Sequence, residues 1–156
     1  MFENLKMDVE FVIEIKNIDA EEVRSLRHSE LRKGQDFTTT SYLKDHNRDT
    51  FHMACIIENR AVSCATFYPE KSIKSQSRNA YRLRGMATDS NFQRKGYASE
   101  LIAESFKELA KRECDMVWCN ARLAALDFYK SVGFKIKGDL FDIDLIGPHY
   151  YMYKEI

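Results

Sequence analysis

Tyr81-Arg82-Leu83-Arg84-Gly85-Met86-Ala87-Thr88-Asp89, followed closely by Gln93-Arg94-Lys95-Gly96-Tyr97-Ala98-Ser99, holds the change of period that organises this chain. Tyr81, Leu83, Gly85 and Ala87 alternate with Arg82, Arg84, Met86 and Thr88, the period-two pattern of a strand ending near Asp89. From Gly96 the spacing turns helical. Ala98, Leu101, Ile102, Ser105, Phe106 and Leu109 fall on one face, and Glu100, Glu104, Lys107, Glu108 and Lys111 on the other. Strand, basic turn and amphipathic helix in that order predict the first half of a βαβ unit.

Working outward toward the amino terminus, residues 71–79 read as a solvated loop. Residues 51–58 and 61–67 are apolar, β-branched runs separated by Asn59-Arg60, which predicts a hairpin whose second strand Pro69 closes. The polar, Thr-rich stretch 35–50 has no clear period and reads as a loop or a short helix. Asp19 can cap a helix that runs through Arg32 and stops at Gly34, and 11–15 alternates as a first strand. Toward the carboxyl terminus, 116–119 reads as a short buried strand and 123–132 as a helix stopped by Gly133. Residues 134–136 and Tyr150-Tyr151-Met152-Tyr153 read as further strands. The order β α β β β α β α β β predicts an α/β fold: a mixed central sheet with antiparallel strands early and a βαβ unit in the middle, flanked by helices. Residues 1–156 suit a single domain, without repeats or linkers.

Composition removes several function classes. Lys plus Arg and Asp plus Glu number 24 each, so no global field draws the protein to nucleic acid or to an anionic membrane. Trp118 and the Tyr-rich tail suit a core better than base stacking, because no basic stripe accompanies them. No apolar run approaches the roughly 20 residues that span a bilayer, and Met1-Phe2-Glu3-Asn4-Leu5-Lys6 is too polar for a signal sequence. Cys55, Cys64, Cys114 and Cys119 lack C-x-x-C spacing and read as reduced thiols in a cytoplasmic protein. The four histidines are equally dispersed, so no metal site is expected.

The turn Gln93-x-x-Gly96-x-Ala98 between strand and helix points consecutive backbone N–H groups at an anion, and a diphosphate suits it. Gly96 allows close approach or a positive φ, Ala98 leaves the first turn open, and Arg94 and Lys95 add charge. A Walker loop is excluded, because no G-K-[ST] follows, and there is no G-x-G-x-x-G. Taken alone the turn fits equally a basic cap on an ordinary helix.

Its context resembles the GNAT superfamily of N-acetyltransferases, in which a strand and short acidic turn precede [QR]-x-x-G-x-[GA] and a long helix. Trp118-Cys119-Asn120-Ala121-Arg122, Ala125, Phe128-Tyr129 and Gly133-Phe134 look like the second half of that family's cofactor site. Leu83-Arg84-Gly85-Met86-Ala87-Thr88 and Ile146-Gly147-Pro148-His149-Tyr150 are similar to a bacterial subgroup of the family. Ala98 stands where the pattern often has Gly, a change of little cost in a first helical turn.

The resemblance implies a GNAT fold and transfer of acetyl from acetyl-CoA, as cosubstrate and without a metal, to a primary amine. It implies main-chain bonds from Met86, Ala87 and Thr88 to the pantetheine arm and thioester. The diphosphate would lie on Gln93, Arg94, Lys95, Gly96, Tyr97, Ala98 and Ser99, with Asn120 and Phe128 along the cofactor. Tyr129 sits where the family has its general acid. Asp142, Asp144 and His149, in or beside the terminal strands, are alternative bases or relay groups for the amine. Each has a plainer reading: Phe128-Tyr129 packing a helix on the sheet, Asn120 in a turn, His149 satisfied at a strand end, and Asp142 and Asp144 facing solvent from one side of a strand. Arg24 and Arg27, at i and i+3 of the first helix, could hold an acceptor carboxylate or form part of a solvated charged face. Acceptor choice, small molecule or protein amine, falls to loops such as 35–50 and 71–79. A homodimer paired through the terminal strands fits by family analogy. The competing function is a noncatalytic acyl-CoA-binding regulatory module.

Overall fold

The computed structural model describes residues 11–156; the polar stretch from Met1 to Lys6 lies outside them. An open mixed sheet is built from β1 (Glu14–Ile18), β2 (Phe51–Ile57), β3 (Arg60–Pro69), β4 (Ala80–Thr88), β5 (Met116–Arg122), β6 (Lys135–Ile136), β7 (Phe141–Ile143) and β8 (Gly147–Glu155). Its order is β1-β2-β3-β4-β5-β8-β6, with β7 also on β8. β4 and β5 run parallel, joined by α2 (Tyr97–Lys111), and the other pairings are antiparallel. α1 (Ala20–Leu31) packs against β3 and β4, while α2 packs against β2 and β3. The short α3 (Leu126–Ser131) adjoins β5. The mixed α/β architecture expected from the sequence is thus present, and the strand on which Asp142 was expected is the three-residue β7.

The α2 face of the sheet carries the largest apolar cluster, in which Tyr81, Leu83, Val117, Cys119 and Ala121 meet Leu101, Ile102 and Leu109 of α2 and Tyr129 of α3. Fully burying a side chain such as Leu101 or Ile102 contributes about 1.5–3 kcal/mol. On the opposite face Val23 and Leu26 of α1 cover Ala54, Ile56, Cys64 and Ala87. Farther along that face Trp118 stacks on Tyr151 at a 5.6 Å centroid separation. No described helix is long and apolar enough to cross a membrane.

Several boundaries moved for identifiable reasons. The first strand is Glu14–Ile18 rather than 11–15, because its ladder with β2 runs from Glu14↔Ile56 to Ile18↔His52. The β2–β3 turn is Glu58-Asn59, not Asn59-Arg60. Both residues have positive φ, 49° and 62°, the backbone that a two-residue hairpin turn requires. β5 continues past 119 to Arg122, since β8 pairs along its whole length. The helix expected over 123–132 begins as a 3-10 turn, Leu123–Ala125, before α3. The stretch 35–50 holds one 3-10 turn, Phe37–Thr40. Asp144 lies in the turn after β7 and not on a strand with Asp142.

The strict alternation of β4 breaks at Gly85, where Cys64 pairs with Ala87 but Thr66 with Arg84, so an extra residue bulges out of β4. Tyr81 and Leu83 face α2, whereas Ala87 is turned onto α1. Gly85 has φ +63°, and a Cβ there would lie 2.9 Å from Arg27 Nε and 3.2 Å from the Tyr42 ring. Arg27 fills that space completely buried. Its Nη1 and Nη2 bind the Asp45 carboxylate at 2.7 and 3.0 Å, and it also donates to the Thr40 carbonyl and the Thr66 hydroxyl. Arg27 is therefore committed to the core beneath the bulge, neither on a solvated face nor available to a ligand.

Candidate active site

The parallel ladder between β4 and β5 covers Ala80 to Arg82 against Met116 to Trp118 and then stops. Both strands continue, to Thr88 and Arg122, so the sheet splays open between them. Two local features account for the split. The bulge bends β4 as bulges do, and β8 holds β5 from the far side through Arg122↔His149. The backbone groups of β4 that face the gap lack ladder partners there and are offered to a ligand.

Two cavities meet in this gap, and Met86 and Ala125 line both. The first, on the α2 side, is lined by Met86, Ala87 and Thr88, by Gln93, Arg94 and Gly96 to Ser99, and by Phe128. The turn that leads into it has two left-handed residues, Arg94 at φ 60° and Gly96 at φ 85°. Gln93 Nε2 pins the turn by donating to the Thr88 carbonyl at 3.1 Å. α2 begins at Gly96 with no side-chain cap, and its first helical bond is the Glu100 amide to the Gly96 carbonyl. The N–H groups of the first turn are therefore left for an exogenous acceptor at the positive end of a 15-residue helix. Nothing lies within 4 Å of a Cβ built on Gly96, so the approach to that turn is open. These features fit the diphosphate of a coenzyme A. Lys95 is exposed beside the turn and does not line the cavity.

The second cavity opens on the α1 side and is lined by Asn120, Tyr129 and His149 together with Arg32, Arg84 and Arg122. Tyr129 packs its ring between Phe128 and Phe134, while its hydroxyl makes no hydrogen bond among the described residues. Burial, and then the neighbouring Cys119, push that phenol well above its ordinary value, so it stays protonated. His149 Nδ1 lies 2.7 Å from the Gly147 carbonyl. A carbonyl only accepts, so Nδ1 carries the proton of the neutral ring and Nε2 keeps its lone pair. Cys119 also lines this cavity, but burial raises its thiol strongly and it stays protonated. Cys64, beneath the bulge, is pushed up to about 12 by burial.

Asn120 thus joins Tyr129 and His149 on the α1-side cavity and not the α2-side one. Asp142 is exposed on β7 and lines neither cavity, and Asp144 is exposed in its turn. Of the arginines of the second cavity, Arg122 entered from the sequence only within the Trp118-Cys119-Asn120-Ala121-Arg122 motif, and Arg32, Arg82 and Arg84 were not singled out as site residues. Their signal was present in β4, where Arg82 and Arg84 share a face at i and i+2 in an otherwise apolar central strand. Among the described residues no cluster of three or more His, Cys, Asp or Glu is arranged to hold a metal.

The model of the acetyltransferase (GNAT) family matches residues 14–134. The chain is 35% identical over 145 residues to the uncharacterized N-acetyltransferase YitI of Bacillus subtilis (strain 168), covering 93% of this chain and 97% of that protein. Among solved structures, an aminoglycoside 6'-N-acetyltransferase complexed with coenzyme A aligns with a TM-score of 0.73 at 14% identity, over 91% of this chain and 96% of that one. Escherichia coli ElaA aligns with a TM-score of 0.67 at 16% identity, over 92% and 100% of the two chains. At such identities the structural neighbours speak for the fold alone.

Proposed function

This chain belongs to the acetyltransferase (GNAT) family, and from that premise we propose how its residues divide the work of moving acetyl from acetyl-CoA to an amine. Bound acetyl-CoA supplies the acyl group as an activated thioester. The open first turn of α2, with Arg94 and Lys95 beside it, takes the diphosphate, and Gln93 holds the turn to β4. Met86, Ala87 and Thr88 offer main-chain bonds to the arm in the gap, with Phe128 along its side. A main-chain N–H near Met86 polarises the carbonyl and stabilises the developing oxyanion, a donor worth roughly 3 kcal/mol.

The amine enters from the α1 side, where Asn120 and His149 line the approach. An alkylammonium with pKa near 10.4 must lose a proton, which costs about 4–5 kcal/mol at pH 7. His149 Nε2, directly or through a water, is the acceptor that the ring's hydrogen bond leaves available. The C–N bond forms as the C–S bond breaks, and the Tyr129 hydroxyl gives its proton to the leaving thiolate and regains one from solvent. Direct attack is favoured over an acyl-cysteine intermediate, because the cavity's cysteine is buried and protonated. Four buried, unbridged thiols suit a reducing compartment, in keeping with a cytoplasmic location.

The observation that carries this reading is the split between β4 and β5, with an uncapped α2 terminus at one cavity and Tyr129 with His149 lining the adjoining one. The test is a thermal shift with acetyl-CoA, for which a ligand at 100 times its Kd adds about 2.7 kcal/mol. Gly96→Glu should abolish the shift. With amines present, Tyr129→Phe should lose thiol release while keeping the shift. A regulatory binding module would show the shift and no turnover in either form, and no shift with any acyl-CoA would remove the reading.

A further inference from the structure

The α1-side cavity is lined by four arginines, Arg32, Arg82, Arg84 and Arg122, and by no aspartate or glutamate among the described residues. Arg82 has a partner in Glu70 at 3.1 Å, although Lys44 shares that carboxylate at 2.7 Å. Arg32, Arg84 and Arg122 take part in no ion pair among the described residues: the acids near α1 are used elsewhere, Asp45 by Arg27 and Glu30 by Ser90. All three arginines are half-buried, so water screens them less than it would on an open surface. They are also crowded. The Arg84 guanidinium lies 4.1 Å over the Tyr42 ring, and the buried Arg27 lies 3.8 Å over the same ring. Burial, and then the nearby Arg32, hold the Arg122 guanidinium below its ordinary value.

These side chains are positioned, yet most of their hydrogen-bonding capacity is unspent. Arg122 Nη2 and Arg32 Nη1 each donate to the Leu31 carbonyl, at 3.1 and 3.2 Å, and so are anchored at the C-terminal end of α1. Each guanidinium has five N–H donors, and that of Arg84 makes no hydrogen bond among the described residues, although its backbone pairs with Thr66 in the sheet. A convergent set of half-buried guanidinium groups with spare donors is the usual recognition element for a planar or tetrahedral oxyanion.

Resting on the transferase reading above, we infer that the acceptor is an amine that also carries an oxyanion, a carboxylate or a phosphate, held by Arg32, Arg84 and Arg122. The anion on these groups brings the amine toward His149 and Asn120, which line the same cavity. The same wall repels polycationic acceptors, and it disfavours the ammonium form of a bound amine, which lowers the cost of deprotonation. Arg27, which the sequence offered for this role, is excluded by its pairing with Asp45.

The test uses matched acceptors with saturating acetyl-CoA and follows free thiol: glycine against glycinamide, γ-aminobutyrate against butylamine, and O-phosphoethanolamine against ethanolamine, with spermidine as the polycation. At least one oxyanion-bearing amine is expected to exceed its twin without the oxyanion in kcat/KM by tenfold or more, and added NaCl should erode that advantage. The carboxylate and phosphate arms separate the two oxyanion sources. Arg84→Gln and, independently, Arg122→Gln should raise KM for the preferred acceptor at least tenfold with little change in kcat. The acetyl-CoA thermal shift, retained in both variants, certifies the fold and the cofactor site. The inference is overturned if a twin without the oxyanion or spermidine performs as well, or if no oxyanion-bearing amine is acetylated or further stabilises the complex while acetyl-CoA binds. Failure of acetyl-CoA to bind at all would instead remove the transferase reading and this inference with it.

Discussion

Replacing Gly85 by Ala tests whether the bulge that opens the sheet depends on the buried arginine beneath it. Two costs add. Gly85 sits at φ +63°, where an L side chain loses roughly 1–2 kcal/mol. The new Cβ would also stand 2.9 Å from Arg27 Nε and 3.2 Å from the Tyr42 ring. Arg27 cannot retreat, because Thr40, Asp45 and Thr66 all hold its guanidinium at 2.7 to 3.0 Å. Overpacking of that kind costs about 1–3 kcal/mol, so the expected total is about 2–5 kcal/mol. Gly96→Ala is the control. Its φ of +85° carries the same backbone penalty, but nothing lies within 4 Å of its Cβ, so about 1–2 kcal/mol is expected. Urea titrations without ligand, analysed with a common slope, give both values. In a chain of this length each kcal/mol lowers Tm by about 2–4 °C. The reasoning is refuted if Gly85→Ala is no more damaging than Gly96→Ala.

Asp45→Ala should destabilise by about 3–5 kcal/mol, because it strands a guanidinium whose side chain is fully buried; a loss below 1 kcal/mol in urea titration would show that water reaches Arg27. Burial lowers the pKa of His52, whose Nε2 donates to the Asp45 carbonyl and whose Nδ1 accepts from Thr66. The unfolded chain therefore binds a proton that the folded one resists. Stability is constant in this respect above the unfolded value of about 6.5 and falls as pH drops below it. Urea midpoints at pH 7.5 and 5.5 should differ in the native chain by more than in His52→Asn, and equal differences would sink the assignment. Burial pushes the Asp45 carboxyl up, but the bonds from Arg27 and the Tyr42 amide outweigh it and leave the pKa lowered. That contribution is present above about pH 4 and disappears only as pH falls through the lowered value. Because burial raises the Tyr129 phenol, no alkaline loss of kcat should arise from it below about pH 10; an ultraviolet phenolate signal that titrates below that pH in the folded native chain and is missing from folded Tyr129→Phe would contradict this. All four cysteines should resist a thiol reagent in the native protein and react once it is unfolded, whereas prompt labelling of Cys119 would reopen an acyl-cysteine route.

The strand over 81–88 and the helix after Gly96 were legible because period is a local property. Alternation and a 3.6-residue stripe each read out which side of a single element meets the core. The turn for which a diphosphate is proposed was legible as a glycine turn for the same reason, since its glycine and the open helix terminus are neighbours in sequence. Alternation could not reveal the bulge at Gly85, because the extra residue is defined only by the register of β4 on β3, and with it goes the turning of Ala87 onto α1. Arg24 and Arg27 look equivalent at i and i+3. Only packing buries one against Asp45, 18 residues away, while Arg24 pairs with the exposed Glu21. The cationic wall is drawn from α1, β4 and β5, and Asp142 and His149, close in sequence and once equal candidates, part at a strand pairing that turns one to solvent and the other to the cavity. What could be read along the chain was the kind and order of most elements and the open, glycine-bearing turn before α2, because both depend on residues within a few positions of one another. The tertiary structure alone decided which charges are paired and which face the gap, because ion pairing and desolvation depend on distances between segments that the chain order does not set.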